Sequence, residues 1–312
     1  MSTLSERILD APAGTYVDRE VDLAFAHDGT GILAREALRE MGVERLAHPE
    51  RLRLIFDHIV PANTGMAATL QAELREYART TGVALSDAGG GICHQVLSEG
   101  VVRPGTIVAG ADSHSCTLGA LGAFATGMGA TDMAAIWASG ATWFRVPETI
   151  AVCLSGRLSG AADPKDVALT YAAKLGMEGA TYRALEFVGD GVAGISMDGR
   201  LTLCNMAVET GAKTGLSTQT VSPSATSQTT GSRHRRRPRR SAVTSRRSIS
   251  IYRISCPSSQ SHTGWTPSVR QRRSRARISI RSSSERAQTA GTTTFSGSQR
   301  SSGGGGWRSA PW

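Results

Sequence analysis

The sequence predicts an α/β domain over residues 1–215, followed by a basic tail, 216–312, without regular structure. Three observations carry this. Short apolar runs recur, each ending in a polar or glycine turn and leading into an amphipathic segment. A glycine-rich stretch, 89–148, interrupts that alternation and carries most of the residues able to move protons. After Gly215 all hydrophobic periodicity stops, and serine, arginine, threonine and glycine dominate to the end.

The elements follow in order. Leu4, Ile8 and Leu9 predict a short lead-in helix within residues 1–20, closed by a Pro-Ala-Gly turn. Val21–Phe25 reads as a strand that delivers His27-Asp28-Gly29-Thr30-Gly31, and Ile32–Met41 has helical spacing with Gly42 as its stop. Leu52–Phe56 is a second strand, leading to Asp57-His58. Met66, Leu70, Leu74, Tyr77 and Ala78 place an amphipathic helix over 65–80, and Val83–Leu85 is a further apolar run. A Pro104-Gly105 turn precedes the strand Thr106–Ala109, so Asp112-Ser113-His114 falls just beyond a strand end, where open α/β sheets place their chemistry. Thr131–Trp143 predicts a helix and Ile150–Leu154 a strand. Pro164–Leu175 is a helix with Asp163 as N-cap and proline at its first position. Residues 184–197 supply strand or turn, and 201–214 a last helix that would set Asn205 and Glu209 on one face.

Charge separates the two segments. Of 35 lysines and arginines, 18 arginines lie in 216–312, where Glu285 is the single acid; 17 basic and 25 acidic residues remain before it. The overall +9 therefore belongs to the tail, and the body is an ordinary acidic domain. Such a tail cannot bury enough apolar surface to offset chain entropy. Five cysteines (Cys93, Cys116, Cys153, Cys204, Cys256) form no C-x-x-C pair, and the first residues lack the plan of a signal peptide, which predicts a reducing, cytoplasmic location without a membrane span.

Among the candidate chemical groups, Asp57-His58, His94 and Asp112-Ser113-His114 stand out, because a carboxylate beside an imidazole fixes its tautomer and suits it to protonating a leaving hydroxyl near neutral pH. Spacing alone leaves each histidine open to a structural role. A serine-hydrolase reading lacks G-x-S-x-G around Ser113, a phosphate loop lacks G-K-[ST], and zinc binding by the histidines lacks a helical H-x-x-x-H spacing.

Six motifs then narrow the choice. HDGTG at 27–31, FDHIVPANT at 56–64, GGGICHQVL at 89–97, GADSHSCTLGALGAFATGMGATDMA at 110–134, TWFRVPET at 142–149 and NMAVETGAKTG at 205–215 occur in one order. Together they resemble the aconitase superfamily, in particular the large subunits of 3-isopropylmalate dehydratase and homoaconitase. The resemblance implies a three-layer α/β/α fold and a hydro-lyase moving water across a carbon–carbon double bond of a hydroxy di- or tricarboxylic acid. It implies a [4Fe-4S] cluster with one open iron. Asp57, His58, His94, Asp112, Ser113 and His114 would handle the leaving hydroxyl, with His27 near them and Asn205 and Glu209 close to the cluster. It also implies a separate small subunit that takes the proton at carbon.

The family's cluster cysteines lie in G-S-C-T-N-like and C-G-P-C-like motifs, which this sequence does not contain, so metal ligands are not expected in this chain. The tail after Gly215 has the composition of a high-GC gene read out of frame, and another frame should then carry those motifs. Two alternatives stand beside the enzyme: a truncated paralogue whose tail binds a polyanion such as nucleic acid, and a cluster-free scaffold for the small subunit. The tail lacks interleaved aromatics and any recognised nucleic-acid module, which ranks the polyanion reading below the hydro-lyase.

Overall fold

The computed structural model describes residues 2–158, 161–217 and, as backbone, 248–254. The chain begins with α1 (Leu4–Ile8), closed at its start by a reciprocal pair of bonds between Thr3 and Glu6. Strand β1 (Tyr16–Glu20) follows, beyond the Pro-Ala-Gly turn that closes the expected lead-in helix, and pairs antiparallel with β7 (Ala141–Arg145) as a separate ribbon.

The first main sheet is parallel throughout. It contains β2 (Leu23–His27), β3 (Leu52–Ile55), β4 (Ala84–Ser86), β5 (Ile107–Gly110) and β6 (Phe124–Gly127), in the order β4-β3-β2-β5-β6. Its central strands β2 and β5 are buried on both faces, as crossover connections require. Alternation along β2 shows the two faces directly. Ala24 and Ala26 point to a core shared with α2 (Thr30–Glu40), α3 (Gly65–Thr81) and α5 (Ala130–Ser139), through residues such as Leu38, Leu74 and Trp137. Leu23 and Phe25 point to a second core with Cys93 and Leu97 of α4 (Cys93–Ser98) and with Leu118. Helical material on both faces of a sheet is the three-layer α/β/α arrangement.

The second sheet has the order β10-β9-β8-β11, with β8 (Thr149–Ser155), β9 (Ala184–Val188) and β10 (Thr214–Ser217) parallel and β11 (Ser248–Ile254) antiparallel to β8. Helices α6 (Pro164–Leu175) and α7 (Met197–Asn205) pack on it through Val167, Tyr171 and Leu203. A 3-10 run, Ser113–Leu121, joins the two sheets: Leu118 enters the core of the first, Cys116 and Ala120 that of the second. Its approach to β10 requires glycine, since a Cβ on Gly119 would lie 1.8 Å from the Gly215 carbonyl oxygen.

Several expectations are corrected here. The helix expected over 131–143 stops at Ser139, because Gly140 turns left-handed (φ +77°) and the chain enters β7. The helix expected over 201–214 ends at Asn205, so Asn205 and Glu209 do not share a helix face; Glu209 lies in a 3-10 turn, Val208–Thr210. Pairing of β10 with β9 runs through Ser217, past the boundary at 215. The tail, expected to lack regular structure, contributes β11, whose Ser-Ile-Ser-Ile start has the period of a strand. The rest of 218–312, with Cys256, lies outside the described residues. Among the described residues no helix is long and apolar enough to cross a membrane.

Candidate active site

The C-terminal ends of β2, β3 and β5 meet where the strand order reverses, with β3 to one side of β2 and β5 to the other. Parallel sheets leave a crevice at such a point. His27 ends β2, Asp57 and His58 follow β3, and Asp112 and Ser113 follow β5. His94 arrives from the opposite layer as the second residue of α4.

Asp112 ties these together. Its Oδ1 accepts the backbone N–H of His114 at 2.8 Å and faces His94 Nε2 at 3.0 Å, while Oδ2 lies 3.4 Å from His58 Nε2. Burial opposes ionisation of this carboxyl, but the hydrogen bond from His94, that ring's charge and the His114 N–H outweigh it and hold the pKa down at about 2. Gly127 gives the loop room, since a Cβ there would sit 2.8 Å from the Asp112 carbonyl oxygen.

His58 lies between two carboxylates, with Nδ1 2.6 Å from Asp57 Oδ1 and Nε2 facing Asp112. A carboxylate accepts only, so Nδ1 carries a proton, and a second proton on Nε2 has Asp112 to stabilise it. Asp57 also accepts the Cys93 N–H, joining the β3 loop to α4. The His27 ring stacks on His58 at 3.5 Å and 11°. Burial, then the neighbouring His58, push the pKa of His27 down, and its Nδ1 accepts the Gly29 N–H at 3.1 Å. His27 is therefore the neutral ring of the stack.

His114 belongs to an adjoining group. Its Nδ1–H donates to the Asn205 carbonyl at 3.2 Å, and its Nε2 is 3.6 Å from Glu209 Oε1. The Asn205 side chain donates to Thr117 at 2.8 Å. All nine candidate residues thus fall into two adjoining groups joined through Asp112, Ser113 and His114. Ser113 is exposed in the cleft without a triad around it.

Two residues that sequence reasoning did not single out complete the site. Asp28, inside the HDGTG motif, is 2% exposed, and accepts the N–H groups of His58 and Ile59 and the Gln71 amide. Lys213, inside NMAVETGAKTG, lines a cleft of about 600 Å³ together with His27, His58, Asp112 and Ser113.

His27, Asp28, Asp57 and His58 bring ligand-type atoms within 4.8 Å of one another. They do not make a cation cage. Both Asp28 oxygens are committed to N–H donors, and His27 Nδ1 to Gly29. The described residues do not fit an iron–sulfur cluster either. Cluster ligands are thiolates, and three of the described cysteines are packed into hydrophobic cores instead, Cys93 in one and Cys116 with Cys204 in another. No group of three potential ligands among the described residues includes a cysteine.

The profile of the aconitase family (aconitate hydratase) matches residues 5–242, and the chain belongs to that family. It is 53% identical to a probable methanogen homoaconitase large subunit of Methanosarcina mazei over 63% of this chain and 51% of that one. It is 48% identical to the 3-isopropylmalate dehydratase large subunit 1 of Methanopyrus kandleri, over 69% of this chain and 53% of that one. With the corresponding subunit of Thermotoga maritima it shares 47% identity, over 69% and 52%. The chain spans about half the length of the curated relatives it matches.

Proposed function

We propose that residues 2–217 form the acid–base portion of a hydro-lyase large subunit acting on a hydroxy di- or tricarboxylic acid of the 3-isopropylmalate or homocitrate type. The observation that supports it is the bridge of Asp112 between His58 and His94 at the carboxyl ends of parallel strands. Dehydration removes a proton from carbon and expels hydroxide from its neighbour, and hydroxide leaves readily only as water. His58 holds the needed proton at Nε2, and Asp112 stabilises the imidazolium before transfer. Asp57 fixes the ring, and neutral His27 supports its face without adding a second positive charge. His94 and His114 flank the position of the departing oxygen.

In the family a cluster supplies the Lewis acid, and a small subunit supplies the base at carbon. Outside the described residues this chain has one cysteine, Cys256, too few to hold that cluster, so we expect this polypeptide to bind its acid without turning it over by itself. We read the segment after residue 217 as out of frame with the body. Translation of the other frames downstream would show the cysteine motifs, and their absence from every frame would refute that reading.

Binding tests the main proposal. Titrating 3-isopropylmalate into the full chain should move the ring Cε1–H resonances of His58, His94 and His114 in proton NMR, and leave the half-buried His48, on the turn before β3, in place. Equal or absent shifts at all four would overturn it.

A further inference from the structure

Lys213 is the one lysine or arginine among the described residues lining the cleft, which it shares with the Asp112 carboxylate without pairing to it. It lies between the 3-10 turn Val208–Thr210 and β10, half-buried, so that its ammonium has lost much of its hydration. Its Nζ donates to the Gly127 carbonyl at 3.3 Å and lies 5.8 Å from the centre of the Tyr182 ring. No carboxylate among the described residues comes within ion-pair distance, although Asp132 contributes a more distant charge. An ammonium carries three donors, and one long bond to a carbonyl leaves two of them unspent. Burial accordingly pushes the amine's pKa down from its ordinary value. A half-buried cation with spare donors, opening on the cleft that holds His58 and Asp112, has the chemistry of an anion receptor.

We propose that Lys213 docks one carboxylate of the di- or tricarboxylate ligand and so sets its hydroxyl-bearing carbon against His58 Nε2. The inference rests on the hydro-lyase reading for the identity of the ligand, but the carboxylate contact can be tested by itself. A charged pair of this kind orients better than His58 alone, because it fixes the far end of a ligand whose near end meets the acid–base groups. It also separates ligands by chemistry: a monocarboxylic acid can satisfy either Lys213 or the histidine group, whereas a diacid can satisfy both.

The experiment is calorimetric titration of the full chain with succinate, a diacid without a hydroxyl. Four variants accompany it: Lys213→Met, which keeps the stem, Lys213→Gln, which keeps a donor for Gly127, Lys213→Arg, which keeps the charge, and Lys165→Met on the exposed face of α6. Affinity should fall about 10- to 100-fold in the Met and Gln variants, the loss expected for one charge-assisted bond. The Arg variant should stay within a few-fold of the parent, and Lys165→Met should match it. If the Met variant unfolds, the Gln variant decides. Succinate binding that is absent in the parent, or equal in the parent and the Gln variant, would overturn the assignment and leave Lys213 as a strut on Gly127. The histidine resonances under 3-isopropylmalate report the hydro-lyase reading separately, so that either proposal can fail without the other.

Discussion

Asp112→Asn is expected to lower folding stability by about 2 kcal/mol at neutral pH and to remove a specific part of the acid sensitivity. The size follows from linkage: a carboxyl held at about 2 in the folded chain against an ordinary 3.8 favours the folded state by roughly 1.4 kcal/mol per unit of difference. The sign is fixed by the direction of the shift. Stabilisation is fully present above the ordinary value of 3.8 and is lost as pH falls from there to about 2. An asparagine keeps an acceptor for His94 and the His114 N–H, but presents an amide where Oδ2 faced His58. That amide can donate to an unprotonated Nε2 and clashes with a protonated one, so the variant also opposes the imidazolium that the proposed chemistry needs. Urea unfolding of both proteins across pH 2 to 7 measures the effect. The gap between them should be widest near neutrality and close at the acid end; a gap that does not change with pH would refute the role given to Asp112.

The same site shows what a sequence can and cannot display. Asp57-His58 and Asp112-Ser113-His114 were legible because each dipeptide or triplet follows a short apolar run, and parallel strands bring their ends together. The helix α6 was legible in full, from the Asp163 cap to Leu175, since capping and periodicity are local signals. The α7 end was not. Helical continuation would need the Asn205 carbonyl to accept the Glu209 N–H, but His114 Nδ1–H and the Cys116 thiol take that carbonyl instead. This competition comes from a segment far away in sequence, and no window around Asn205 contains it. Strand β6 and helix α4 were lost within the glycine-rich stretch, where small residues suit close packing and carry little periodicity. Lys213 passed unnoticed for a related reason: its chemistry lies in what it lacks, a counter-ion, and that is visible only when its neighbours are placed.

Asp28→Asn should cost about 3–5 kcal/mol, because it breaks a buried charged network from one side. Asp28 has a side chain closed to solvent, and three donors converge on it: the N–H of His58 at 3.0 Å on Oδ1, and the N–H of Ile59 at 2.9 Å with the Gln71 amide at 3.0 Å on Oδ2. Burial opposes its ionisation, and these three bonds outweigh burial and hold its pKa below the ordinary carboxylate range. An asparagine has one oxygen. In either rotamer its NH₂ group meets a backbone N–H that has no other acceptor, so turning the amide over restores nothing. Gln71→Met is the milder comparison, at about 1–2 kcal/mol, since it leaves both backbone donors on Asp28 and strips only Gln71's bonds to Oδ2 and the Ile59 carbonyl. The two changes also differ in where they act. Asp28 holds the chain just where His58 stacks on His27, so its loss should release the segment 57–61 and with it the Asp57–His58 pair. Hydrogen exchange then separates this from general weakening: the His58 and Ile59 amides should exchange faster in Asp28→Asn even at urea-free, fully folded conditions, while amides of β5 stay protected. Uniform acceleration across both regions would mean that Asp28 supports the domain as a whole, and not the placement of His58.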